Sequence, residues 1–361
     1  MRRFALPLLA LALAGAAAPL TLRAQSAPSP DAPPVSTAPA QDDTQQSAPV
    51  TTLRVNSNLV SLYFTVKDKR GALIPDLTRD DCAVFEDKKQ QKVRNFESKS
   101  DQPLTLGILL DTSGSQQNVL PLEQQTGSNF LHRVLRDKDE AFLISFDVDV
   151  NLIEDYTNNA GTLSRAMNKA EINTAAGNGS AGIPGLGQGT IPTQGAPKGT
   201  LLYDAVYLAA GDKLRQETGR KAMILLTDGE DQGSKYRVQD AIEAAQKANA
   251  IVYVILIADR GFYSGGSIML GGYSGDQQMH RMAEATGGRV IDVGNNGKKL
   301  EDAFQQIEDE LRTQYVASYV PLNTDFDGKY RAVDIQCKRN TENLKVQARK
   351  GYYAVPADEA Q

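Results

Sequence analysis

The stretch Leu104 to Ser115, LTLGILLDTSGS, constrains the fold more than any other. An apolar run gives way at once to an aspartate and then to two serines at alternate positions. An uninterrupted apolar run of this length predicts a strand covered on both faces, as in the middle of a parallel sheet. Asp111, Ser113 and Ser115 then fall in the turn at the strand's carboxyl end, where open α/β sheets place their ligand crevices. A carboxylate and two hydroxyls on one tight turn suit a small hard cation such as Mg²⁺, which takes oxygen ligands.

A second run, Ala222 to Thr227 (AMILLT), has the same buried-strand character and ends in Asp228-Gly229-Glu230-Asp231. Asp228 is thus expected at the carboxyl end of a second strand. Between the two lies GTLLYDA, Gly199 to Ala205, in which Thr200 precedes a helix-like segment and offers a third hydroxyl. On these residues the chain resembles the von Willebrand factor type A (VWA) family, whose metal-ion-dependent adhesion site (MIDAS) reads Asp-x-Ser-x-Ser, then Thr, then Asp. Asp111, Ser113, Ser115, Thr200 and Asp228 fill every position of that pattern, and the resemblance spans roughly residues 102–312. The chain also looks like the VWA-related exported proteins of soil bacteria, in which short β segments flank this domain.

The resemblance implies direct ligation by Ser113, Ser115 and Thr200, with Asp111 and Asp228 holding ordered waters or alternating between direct and water-mediated contact. The cofactor it implies is Mg²⁺, with Mn²⁺ or Ca²⁺ as alternatives, and a sixth position open to an acidic residue of a partner protein. Integrin-like relatives can build an adjacent cation site from acidic residues just past the second serine. Here those positions are Gln116, Gln117 and Asn118, which argues against a second metal. Asp204 and Asp231 are close enough in sequence to tune the charge of the site. The plainer reading, that Asp111 and the serines only cap the following helix, loses ground because the donors sit at two separate strand ends.

Catalytic readings fail on particular residues. An aspartyl phosphatase would place a second Asp where Ser113 stands, and a Gly-x-Ser-x-Gly elbow is absent. His132 and His280 are the chain's histidines and read as surface or structural, and neither a zinc-type His/Cys cluster nor a phosphate-binding Gly-x-x-x-x-Gly-Lys loop is present. A net charge of −5 without a dense Lys/Arg stripe argues against nucleic acid. The expected activity is therefore metal-dependent protein binding or adhesion rather than catalysis. The alternative is a structural or assembly subunit of a cell-envelope complex with incidental metal.

The chain is 361 residues long, enough for about two domains. A basic start at Arg2-Arg3 and an Ala/Leu-rich run to Leu22 read as a signal peptide over residues 1–24, cut between Ala18 and Ala27. An exported protein, periplasmic or extracellular, follows from this, since no later stretch is long and apolar enough to cross a bilayer. Residues 25–50, dominated by Ala, Pro, Ser and Gln, read as a disordered spacer. Alternation then predicts β structure over 51–100, including strands at Cys82–Asp87 and Gln91–Glu97. Strand–helix alternation over 101–313 predicts a doubly wound, mainly parallel α/β sheet. Period-2 strands return over 314–356, before a tail at 357–361.

Neither flank holds enough strands to stand alone, so we expect one small β-sandwich assembled from both, with the α/β domain inserted into it. Cys82 and Cys337 lie one in each flank. A disulfide between them and two separate buried thiols are both compatible with the sequence. Two Gly-rich loops, Ala175–Gly199 and Arg260–Gly275, are expected near the metal face, with Tyr263, Met269 and Tyr273 as candidate contact residues.

Overall fold

A computed structural model describes residues 59–98, 101–173, 199–257 and 274–355. The expected signal peptide and spacer, most of both Gly-rich loops, and Tyr263, Met269 and Tyr273 lie outside them. The chain enters through β1 (Val60–Lys67), β2 (Cys82–Glu86), β3 (Lys89–Gln91) and β4 (Val93–Glu97). The α/β body follows with β5 (Leu104–Asp111), α1 (Leu120–Val134), β6 (Glu140–Phe146), β7 (Val150–Thr157), α2 (Ala160–Met167), α3 (Leu202–Leu208) and β8 (Arg220–Thr227). It continues through α4 (Val238–Lys247), β9 (Ala250–Leu256), α5 (Ser274–Thr286), β10 (Val290–Asp292) and α6 (Gly297–Arg312). Strands β11 (Tyr315–Tyr319), β12 (Tyr330–Arg339), β13 (Glu342–Asn343), β14 (Lys345–Ala348) and β15 (Gly351–Tyr353) complete it.

Central sheet order is β10-β9-β8-β5-β6-β7. All neighbours are parallel except β7, which runs antiparallel on the edge. Strands β5, β8 and β9 are buried along their whole lengths, as uninterrupted apolar runs require when helices cover both faces. Leu104, Leu106, Ile108 and Leu110 pack on one side with residues of α1, α2 and α6, including the stacked rings of Phe130 and Phe304 at 4.7 Å. Leu109 packs on the other side with α3, α4 and α5. The chain leaves β5 for β6 in one direction and later returns to place β8 on β5's other side. The switch point of the sheet therefore falls between β5 and β8.

Both flanks share two antiparallel sheets, β14-β1-β11-β4 and β13-β12-β2-β3, the latter with β15 beside β12. On β12 every second residue, Arg331, Val333, Ile335 and Cys337, is buried. Val333, Ile335 and Cys337 meet Leu62, Phe64, Val66, Tyr315 and Tyr319 in a common core. Cys82 and Cys337 are register partners on β2 and β12 and their sulfurs are bonded. The continuous strand expected at Gln91–Glu97 is instead two. β3 pairs with β2, β4 pairs with β11, and Lys92 is the crossing point between sheets. Gln91 makes the crossing affordable to bury, since its side-chain oxygen accepts the Leu322 N–H at 3.0 Å.

The flanking sheet and the α/β body meet at Glu310 of α6, 1 % exposed. Its Oε1 is 2.8 Å from both Lys67 Nζ on β1 and Arg289 Nε before β10, and its Oε2 accepts from Gln347 Nε2 on β14 at 3.0 Å.

Candidate metal centre

Asp111 is the last residue of β5 and Asp228 the first after β8. The two strands are paired in parallel up to Leu110 and Leu226, so both carboxylates stand at the carboxyl edge of the sheet, at its switch point. Both are essentially closed to solvent, at 0 % and 1 % exposure. Asp111 is held on both oxygens: Oδ1 accepts the Ser113 N–H at 3.0 Å and Oδ2 accepts the Thr227 hydroxyl at 2.7 Å. Asp228 Oδ1 accepts the Glu230 N–H at 3.0 Å.

Ser113 precedes a single 3-10 turn, Gly114–Gln116, which brings Ser115 round to the same side. The two hydroxyl oxygens are 3.1 Å apart. Neighbouring oxygens on an octahedral Mg²⁺ with bonds of about 2.1 Å are about 3.0 Å apart, so the serine pair already has the spacing of adjacent ligands. Thr200 is drawn in by reciprocal backbone bonds with Gln232, both 3.0 Å, which tie it to the loop after Asp228. That loop turns at Gly229, whose φ of +84° favours glycine. Gly275 of α5 packs against it so closely that a Cβ would lie 2.2 Å from the Gly229 carbonyl oxygen.

Asp204 and Asp231 brace this loop. Asp204 accepts the N–H groups of Lys235 and Tyr236, and Asp231 accepts those of the Tyr203 N–H and the Ser234 hydroxyl. His132 and His280 are exposed, the latter against Asp276. Gln116 is buried, with its Nε2 toward the Ile257 carbonyl. The ends of both Gly-rich loops reach the site: Gly199 borders the Gln232 carbonyl, and Gly275 borders Gly229.

Three residues that spacing alone did not single out complete the setting. Thr227 links the two strand ends through Asp111. Asp147, just past β6, accepts the Thr112 hydroxyl at 2.7 Å and the Asn173 amide at 3.0 Å, while its carbonyl accepts the Leu201 N–H at 2.7 Å. It thereby joins the first donor turn to the Thr200 segment, and its place at a strand's carboxyl end was the available signal. The third is Glu123 on α1. It is fully buried, and neither carboxylate oxygen has a hydrogen-bond partner.

The charge balance of the site is negative throughout. Burial, and then the nearby Asp228 carboxylate, push Asp111 up to about 7. Burial and the two aspartates hold Glu123 well above the usual carboxylate range. The metal-free fold prefers protonated Asp111, so its stability is greatest below the ordinary aspartate range and is lost as pH rises through about 7, the reverse of a salt-bridged aspartate. A bound cation removes that cost. Clustered buried carboxylates, hydroxyls spaced as adjacent ligands and an orphaned acidic side chain fit a hard divalent ion. Among the described residues no group of three or more His, Cys, Asp or Glu side chains is arranged to hold one directly. A direct donor set must therefore rely on the hydroxyls.

No family model matches the chain and no curated protein matches it. Among solved structures, the conserved hypothetical protein BatB from Bacteroides thetaiotaomicron is 19% identical over 58% of this chain and 100% of that chain, with a TM-score of 0.42. Proximal thread matrix protein 1 from the mussel byssus, with a zinc-occupied MIDAS motif, is 14% identical over 60% of this chain and 48% of its own, with a TM-score of 0.43. The SpRpn10 VWA domain is 13% identical over 56% of this chain and 94% of its own, with a TM-score of 0.37. The present chain thus spans about half of the mussel protein. These likenesses are too slight to say what the chain binds, and they give no support to the soil-bacterial resemblance. Strand order and switch point give the α/β body the doubly wound, mainly parallel sheet expected from the sequence, with both aspartates at its carboxyl edge.

Proposed function

We propose that this chain is an exported binding protein that holds Mg²⁺ on Asp111, Ser113, Ser115, Thr200 and Asp228 and uses it to capture an acidic residue of a partner protein. The observation that carries the reading is the convergence of two buried aspartates and a ligand-spaced serine pair at the switch point of the sheet. When bound, the ion supplies a Lewis-acidic vertex for an incoming carboxylate. The chain's own residues do the rest. Asp111, fixed on both oxygens, anchors the charge; Ser113 and Ser115 present neutral oxygens; the Thr200–Gln232 bridge delivers the third hydroxyl.

Neutral hydroxyls in the direct set leave the cation with charge to share, which favours an acidic ligand. The exposed histidines and the absence of a nucleophile–base pair among these donors favour binding over catalysis. Export is supported by the basic, Ala/Leu-rich start of the sequence and by a cystine of the kind secreted proteins use. No helix among the described residues is long and apolar enough to cross a membrane. We further read residues 101–313 as the VWA domain, with 51–100 and 314–356 as the two halves of the sandwich that carries it.

The test is capture from a cell-envelope extract by immobilised protein in Mg²⁺ and in EDTA. A partner retained in Mg²⁺, released by EDTA and missed by Asp111→Ala is the expected result. Retention indifferent to both would contradict the proposal and favour an assembly subunit with incidental metal.

A further inference from the structure

We propose that Glu123 is a third acidic group of this metal centre, set behind the donor turns to hold a water of the bound cation. The inference rests on the metal-centre reading above and goes beyond its donor pattern, which contains no residue of α1.

Glu123 lies on the buried stripe of α1, between Leu120 and the Gly127, Phe130, Leu131 and Val134 positions. A side chain there with only a packing role would be apolar. Instead it carries two carboxylate oxygens, both enclosed and both without a protein partner. The charges acting on it are those of Asp111 and Asp228, and no basic group appears among them. Burying a carboxylate beside two others, with no counter-charge, is strongly unfavourable. The arrangement makes physical sense once a cation sits among the three.

Among the described residues the three acids do not form a group that could hold a metal ion directly. Mg²⁺ keeps several waters and is commonly held through them, and a hydrogen-bonded second layer orients such waters and tunes affinity. Either unpartnered oxygen of Glu123 would accept a hydrogen bond from such a water. Glu123 thereby helps to retain metal in the unliganded protein.

The test uses the full chain with Glu123→Gln, which keeps shape and removes charge, read by Mg²⁺ calorimetry and by thermal unfolding in Mg²⁺ and in EDTA. Mg²⁺ affinity should fall about ten- to a hundredfold. In EDTA the variant should melt higher than wild type, because a buried acid whose ionisation the fold opposes is gone, and the rise on adding Mg²⁺ should shrink. Glu123→Asp, shorter but still charged, should lose affinity without that gain in EDTA. A Glu123→Gln variant with wild-type affinity and a wild-type Mg²⁺ response would overturn the role of Glu123 and leave the metal centre standing. Wild-type protein that binds no Mg²⁺ would overturn both.

Discussion

Replacing Cys82 and Cys337 together by serine should cost the folded protein about 5 kcal/mol in unfolding free energy. The bridge joins residues 255 apart in sequence, so in the chain-entropy account it confines a very long loop in the unfolded state. It does so where confinement matters most. One cysteine comes from the amino-terminal flank and the other from the carboxyl-terminal flank, and they are register partners in the sheet both flanks share. Without it, β2 and β12 must find each other across the entire α/β body. Urea unfolding of oxidised wild type, reduced wild type and the double variant measures the effect. A loss under about 1 kcal/mol would show that the sandwich core closes the loop unaided.

Removing the carboxylate at Glu310 should be nearly as severe. It is the shared partner of Lys67 and Arg289, and a hydrogen-bond acceptor for Gln347. Lys67 and Gln347 come from the flanks, while Arg289 and Glu310 belong to the α/β body. Glu310→Ala leaves two partly buried cations facing each other, and breaking a buried pair from one side costs about 3–5 kcal/mol. Glu310→Gln, which still accepts one hydrogen bond, should cost less. The same unfolding measurement decides it. A near-neutral alanine variant would mean that water or other acceptors already satisfy Lys67 and Arg289.

The parts of this fold that show in the sequence are those where one physical rule acts alone. Strands β5, β8 and β9 announce themselves because burial on both faces demands unbroken apolar runs. Asp111 and Asp228 are visible because each interrupts such a run where a parallel strand must end. What stays hidden depends on relations between distant segments. The run Gln91–Glu97 gives no sign that Lys92 carries the chain from one sheet to the other, since period-2 alternation is the same in both. β7 extends to Thr157, well past the short strand Val150–Ile153 that its apolar residues suggest, because an edge strand needs cover on fewer sides. Cysteine positions fix no pairing until the flanks are assembled. Glu123 escapes a search for apolar residues at helical spacing, although it falls three residues after Leu120 on that very stripe. A charged residue on a buried stripe is the signal to seek.

The most direct test of the account is calorimetric titration of Mg²⁺ into wild type and Asp111→Ala, each at pH 8 and pH 5.5. Wild type should bind one ion at pH 8 and bind it at least about tenfold more weakly at pH 5.5. With Asp111 pushed up to about 7 in the metal-free fold, the ion must displace a proton at the lower pH. Asp111→Ala should bind none at either pH. Equal heats from both proteins, or wild-type affinity that does not change with pH, would contradict a cation seated on the aspartate at the end of β5.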